Sequence, residues 1–379
     1  MSGADGIVSV DVDAPTACVT GATGFVGQAL VRALRDQDVG VRCTYRTQRR
    51  LRALDGLEVT PVKADVLDRR ALRRALEGCD VLFHVAGIVS AGTSKNIWEI
   101  NARAPALAVE TAAAAGCRRV VLTSSAAAVG PSPPGRQADE RQLYRNPELG
   151  LAYHNATHEG EARALAAAAR TGVELITVCP TYVLGAPDIG GVDLDTSTRV
   201  VVNYMRGRLP AVTDTWTNVV DVDDVARGHV LAWSHGRPGQ RYVLGGTDVR
   251  WPVLLRRLGR LAGVDRPFAI LPRSVAQPAR SASAMGLPSP IPLAALVFMA
   301  EDHRYSSAKA QRELGYSWRE LDDTLRRSVR WFVEELEAGR FTDADRSALR
   351  LLTGGVWLAD RAGLLTAAER LGVLAGRGQ

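Results

Sequence analysis

The stretch Val19-Thr20-Gly21-Ala22-Thr23-Gly24-Phe25-Val26-Gly27-Gln28-Ala29-Leu30 constrains this chain more than any other. Ahead of it, Thr16 to Thr20 is an apolar run that reads as a buried strand. Behind it, Phe25, Val26, Leu30, Val31 and Leu34 recur at helical spacing. A strand, a glycine-punctuated turn and a helix start therefore arrive in that order. Gly21 lets the chain turn sharply, Gly24 lets backbone approach a pyrophosphate, and Gly27 lets the helix pack closely on the strand. The helix N-terminus offers unpaired N–H groups and a partial positive charge to phosphates. The reading is a dinucleotide site at Gly21, Thr23, Gly24, Phe25, Val26 and Gly27; its rival is an ordinary strand–helix turn.

The pattern continues downstream. Val39 to Tyr45, Leu57 to Val62, Val81 to Val85, Arg119 to Thr123 and Val173 to Cys179 read as strands. Helices are expected over Arg69–Leu76, about Ile97–Ala115 and about Leu151–Arg170. Strands alternating with helices predict an α/β fold, a doubly wound parallel sheet of Rossmann type covered on both faces. After Pro180 the regularity loosens. Arg199 to Met205 looks helical, Val219 to Asp224 reads as a strand capping a helix from Val225 to Ser234, and Arg241 to Leu244 is another strand. Residues 250–300 mix Arg-rich helical pieces with prolines, and Leu321 to Phe332 is amphipathic. The expected organisation is a dinucleotide-binding domain from 15–180 plus 217–246. A smaller substrate lobe takes 181–216 plus 247–340, and 341–379 forms a helical extension.

Composition removes other classes. With 379 residues, 46% hydrophobic and 23% charged, the chain has ample core for a globular enzyme. Its net charge of +6 is interspersed, as in Arg69-Arg70 and Arg73-Arg74 beside Asp68 and Glu77, so no nucleic-acid stripe is expected. Cys18, Cys43, Cys79, Cys117 and Cys179 are spread singly, without metal spacing, which argues for reduced thiols, a cytoplasmic setting and no metal. Ile291 to Ala300, the longest apolar run, is too short to span a bilayer, so no membrane partner is expected.

Charge also bears on the nucleotide. An acid ending the second strand would bond a ribose diol, whereas here Arg46 follows Tyr45, with Arg49 and Arg50 close behind. That favours NADP through its 2′-phosphate, with NAD the alternative. Asp65 follows the third strand, where it could accept from the adenine amine or cap the next helix, a task Asp68 could equally perform.

These segments, followed by His84-Val85-Ala86, Asn101, Thr123-Ser124-Ser125-Ala126, Tyr153 and Pro180-Thr181-Tyr182-Val183-Leu184-Gly185, resemble an extended short-chain dehydrogenase/reductase of the NAD-dependent epimerase/dehydratase superfamily. The likeness is nearest to the dihydroflavonol-reductase-like and hopanoid-associated sugar-epimerase-like branches, and it covers about residues 15 to 335. The resemblance implies cofactor contacts at Asp65, Val66, Val85, Ala86, Gly87, Thr123, Pro180 and Val183. It implies a substrate pocket at Lys95, Ser124, His154 and Tyr182, with Asp188 nearby, and a homodimer formed through the helices near Ile97 and Leu151. Tyr153 would exchange a proton with the substrate oxygen while Ser125 holds that oxygen.

One departure stands out. The family carries a Lys four residues after the Tyr, where it bonds the nicotinamide ribose and lowers the Tyr pKa. Here that position is Thr157, and Thr is uncharged. Three explanations follow. Another cation serves, from His154, His158 or Lys95; or Tyr153 acts as a neutral acid in reducing a small molecule's C=O, C=N or conjugated C=C in specialised metabolism; or the reaction is redox-neutral elimination, cyclisation or isomerisation. A non-catalytic nucleotide sensor is a fourth outcome.

Overall fold

The computed structural model describes residues 15–89, 95–145, 150–186, 197–275, 293–339 and Leu358. The expected extension 341–379, apart from Leu358, and Asp188 lie outside the described residues. Seven parallel strands form the main sheet: β1 (Thr16–Thr20), β2 (Gly40–Tyr45), β3 (Thr60–Lys63), β4 (Val81–His84), β5 (Arg119–Thr123), β6 (Glu174–Pro180) and a later strand, Arg241–Leu244. Their order is β3-β2-β1-β4-β5-β6 and then Arg241–Leu244, so direction of travel across the sheet reverses between β1 and β4.

Alternation along each strand decides what covers each face. Ala17, Val19, Val81, Phe83 and Val121 pack with α1 (Phe25–Arg35), using Leu30 and Leu34. Cys18, Leu82, Val120 and Leu122 face the other way, onto Leu72 and Leu76 of α2 (Arg69–Leu76). Between β4 and β5 the chain makes a single turn, α3 (Lys95–Ile97), a π-helical stretch, Trp98–Arg103, and α4 (Ala104–Ala114). A short α5 (Ala126–Val129) follows β5, and α6 (Ala152–Thr171) lies across α4 with Ala164 and Ala167 buried.

The helix expected over Ile97–Ala115 is thus unbroken but not α-helical throughout, and Pro105 supplies the reason. Proline has no N–H to give the carbonyl four residues back, that of Asn101, and its ring crowds that carbonyl. The register widens instead, with Ala104 N–H donating to the Glu99 carbonyl, five residues away.

After β6 the described chain continues through β7 (Tyr182–Leu184), α7 (Thr198–Met205), β8 (Ala211–Thr213), β9 (Trp216–Asp221), α8 (Val222–His235), β10 (Arg241–Leu244), β11 (Thr247–Arg250), α9 (Trp251–Ala262), β12 (Ala269–Leu271), α10 (Leu293–Met299), α11 (Ala308–Leu314) and α12 (Leu321–Glu337). β9 pairs in parallel with β7 and antiparallel with β11, and β8 pairs with β12. Of the stretch 217–246, α8 packs on the main sheet and β10 extends it, whereas β9 belongs to the three-stranded sheet. Val220 of β9 joins the main core, and Val219 joins the lobe core with Trp251, Leu255 and Phe332. Among the described residues, no helix is long and apolar enough to cross a membrane.

Candidate active site

The carboxyl ends of the parallel strands gather the sequence-marked residues at the point where strand order reverses, the crevice where such sheets bind ligands. Gly21 has φ +69°, and a Cβ there would lie 2.7 Å from the Ala86 nitrogen, so the turn needs glycine twice over. A Cβ on Gly27 would lie 2.2 Å from the Gly21 carbonyl oxygen. Gly24 is exposed at the N-cap of α1 and leaves that end with no side-chain cap. The first N–H groups of α1 are therefore available to an anion. Phe25 is buried and Val26 half-buried against the core, so they face the crevice through backbone, not side chains. Thr23 contributes its carbonyl to Gln28 Nε2 at 3.1 Å.

Arg46 follows β2 with its guanidinium exposed and 4.0 Å from the Asp65 carboxylate. Asp68, not Asp65, caps α2, accepting from the Arg70 and Ala71 N–H groups at 2.9 and 3.1 Å. Asp65 accepts the Leu67 N–H at 2.9 Å and keeps its other oxygen toward Arg46. Arg49 and Arg50 are exposed on a 3-10 turn. Val66 packs with Ile100 and Ala104, beside Ala86. Val85 N–H donates to the Thr20 carbonyl, which aligns the Val85-Ala86-Gly87 segment with the glycine turn.

Tyr153 lies in the first turn of α6, and its hydroxyl comes under the influence of the Ser125 and Thr157 side chains, which favour its ionised form. Ser125 is also the N-cap of α5, accepting from Ala127 N–H at 3.1 Å. Thr157 Oγ1 donates to the Tyr153 carbonyl at 2.7 Å, and Asn101 Nδ2 donates to Thr157 at 3.5 Å. Asn101 is in turn locked to both backbone groups of Ile88, each at 2.9 Å. The π-helical widening presents that amide, and α6 approaches so closely that a Cβ on Gly160 would lie 1.9 Å from the Asn101 carbonyl oxygen. Burial raises the Tyr153 pKa above its ordinary value, and those two hydroxyl side chains only partly offset this.

Neither histidine supplies the missing cation. Burial drives the His154 pKa down to about 3, so its ring is neutral. His158 stacks on Tyr144 at 4.0 Å and turns Nδ1 to the Ala128 carbonyl. The Lys95 side chain is outside what is described.

Two of the expected pocket residues have hydroxyls engaged within the protein. Ser124 donates to Glu161 at 2.9 Å, on the opposite side of the strand end from Ser125, because successive residues alternate faces. Tyr182 spends its hydroxyl on the Ser197 carbonyl at 2.9 Å and sets its ring edge-on to Trp251, so it anchors the lobe. Pro180 closes β6 opposite Leu244, and Val183 pairs with Val220 in the core.

One contact had no sequence signal, since its partners are 106 residues apart. Thr123 Oγ1 lies 2.8 Å from His229 Nε2, and His229 Nδ1 lies 2.8 Å from the Val225 carbonyl. Nδ1–H must donate to that carbonyl, so Nε2 accepts and the Thr123 rotamer is set. Asp221, Asp223 and Asp224 fulfil the strand-end and cap reading. Asp221 caps α8, and Arg319, Arg327 and Arg227 pair the group. A cavity of about 960 Å³ lies away from Tyr153, along the outer edge of β10; Arg237–Glu313 and Arg241–Glu161 pairs already match charges there.

A model of the NAD dependent epimerase/dehydratase family matches residues 17–245. A Synechocystis sp. protein provisionally named dihydroflavonol 4-reductase is 32% identical over 334 residues, 83% of this chain and 93% of that protein. Cinnamoyl-CoA reductase 1 of Oryza sativa subsp. japonica is 34% identical over 258 residues, 64% of this chain and 75% of that protein. Among solved structures, a nucleoside-diphosphate-sugar epimerase from Pseudomonas aeruginosa aligns with TM-score 0.72 and 27% identity, covering 86% of this chain and 99% of that one.

Proposed function

The chain belongs to the NAD-dependent epimerase/dehydratase family, among the extended short-chain dehydrogenases/reductases, and from that premise we propose that it reduces a carbonyl, imine or conjugated alkene of a small molecule with NADPH. It is an NAD(P)-dependent oxidoreductase of that family. The observation that carries the direction of reaction is a buried Tyr153 phenol, raised in pKa by that burial, with no cation among the groups that act on it. Reduction needs a proton donor, and a neutral phenol is one; oxidation would need a phenolate, which this setting disfavours.

A dinucleotide suits the crevice because the α1 N-terminus is uncapped and exposed Gly24 puts no side chain there, while Gly21 and Gly27 allow the tight turn and the close packing behind it. Bound there, the nicotinamide supplies the hydride. Ser125 holds the substrate oxygen and Tyr153 delivers its proton to it. Thr157, bonded to Asn101 and to the Tyr153 carbonyl, bonds the nicotinamide ribose in place of the family's lysine. The exposed Arg46 guanidinium just after β2, held only loosely by Asp65, supports NADP over NAD through its 2′-phosphate. Five buried free thiols suit a reducing cytoplasm, and a homodimer through α4 and α6 belongs to the same reading.

The test is single-turnover absorbance of bound NADPH mixed with a panel of ketones and aldehydes. Wild type should consume NADPH, and Tyr153→Phe should slow it about 10²- to 10⁴-fold with nucleotide affinity unchanged. Arg46→Ala should weaken NADPH binding by about tenfold or more while sparing NADH. Product formed without any nicotinamide absorbance change would establish the redox-neutral reading, and tight nucleotide binding with no product would establish the sensor.

A further inference from the structure

We infer that His154 is a substrate-binding group, pairing with a hydroxyl or carbonyl that the substrate carries a few bonds from the carbon being reduced. This rests on the reductase reading above and names the substrate class: a carbonyl compound bearing a second oxygen nearby.

The first argument is an imbalance in hydrogen bonding. Both ring nitrogens of His154 are buried and unpartnered, in a residue only 5% exposed. Its neighbours on the same helix are all served: Asn155 accepts from the Tyr144 hydroxyl at 2.5 Å, Thr157 bonds the Tyr153 carbonyl and His158 reaches the Ala128 carbonyl. His303, nearby, is served as well, with Nδ1 at the Tyr305 hydroxyl and Nε2 at the Phe298 carbonyl. A buried polar group left unmade costs about 1–3 kcal/mol, and an imidazole carries two. An apolar residue would suit this position better if packing were its only task.

The second argument is place. The His154 ring meets the Tyr153 ring edge-on, 5.7 Å between centroids, so it adjoins the proton donor. On its other side is the Phe298 ring of α10 at 5.8 Å, itself stacked on His303 at 4.1 Å. The imidazole is neutral, held so by burial, and therefore offers one N–H donor and one bare nitrogen acceptor. A hydroxyl satisfies either, a carbonyl the donor. The nitrogens are sealed as the structure stands, so the substrate reaches them by displacing the Phe298 ring.

The experiment compares NADPH-dependent reduction of matched ketones: benzoin against deoxybenzoin, and acetylacetone against methyl propyl ketone. Wild type should prefer the oxygenated member of a pair by about tenfold or more in kcat/KM. His154→Phe, with His154→Leu as the smaller apolar variant, should bring the ratio toward one, mainly by slowing the oxygenated substrate. His154→Gln, which keeps a donor and an acceptor, should retain part of the preference. A folded apolar variant with the wild-type ratio overturns the assignment while leaving the reductase reading intact. If wild type reduces none of the ketones, the reductase reading fails, and this inference falls with it.

Discussion

At residue 157 the chain keeps a hydroxyl, bonded to the Tyr153 carbonyl and to Asn101, and gives up a charge. The consequence is a pH profile. A neutral phenol whose pKa lies above its ordinary value stays protonated through the physiological range, so reduction by wild type should run flat to at least about pH 9. Thr157→Lys would place an ammonium beside Tyr153 and stabilise its phenolate. The alkaline fall in the reductive rate should then move down by about 1–2 pH units, while the oxidation of an alcohol product gains. A profile left unmoved by Thr157→Lys would show that Tyr153 is not the acid. At this scale the residue types were legible and their pairings were not. Ser125 and Ser124 are adjacent and chemically identical, and only the strand's alternation sends one to Tyr153 and the other to Glu161.

Among the elements, β1, α2, β5 and β10 match their expected bounds, because each is an apolar or amphipathic run between clear stops. The π-helical stretch does not, although its cause, Pro105, is in plain view. Its effect depends on α6 lying against the Asn101 carbonyl. Gly160→Ala tests that contact. A methyl 1.9 Å from a backbone oxygen cannot be relieved by turning a side chain, so α6 must move away. Stability should drop by about 3 kcal/mol or more in denaturant titrations, and the soluble fraction should be low. Strands β7, β8, β11 and β12, of three or four residues each, are too short for alternation to register; their pairing comes from partners far along the chain.

For the molecule as a whole, acid is the weakness. Burial holds His84, His229 and His303 at about 4 and His154 at about 3, against an ordinary 6.5. The folded state therefore binds fewer protons at these sites, and stability present above pH 6.5 is lost as pH falls toward 4. Asp221 and Asp224, raised by burial to about 6, act oppositely and gain stability over the same fall. Four groups against two leave the unfolded chain about two protons ahead near pH 5, a slope of about 3 kcal/mol per pH unit. Denaturation midpoints at pH 7, 6 and 5 should drop progressively, and equal midpoints would show that these rings are solvated. The amino-acid order alone determined the doubly wound sheet, the glycine cradle and the presence of a tyrosine without its lysine, because periodicity, turn chemistry and residue type are local properties. Tertiary structure alone decided which serine meets that tyrosine, which histidine stays unpaired and which carboxylate caps a helix. Those outcomes depend on the path the backbone takes and on how separate segments pack together, which residue type and periodicity do not reveal.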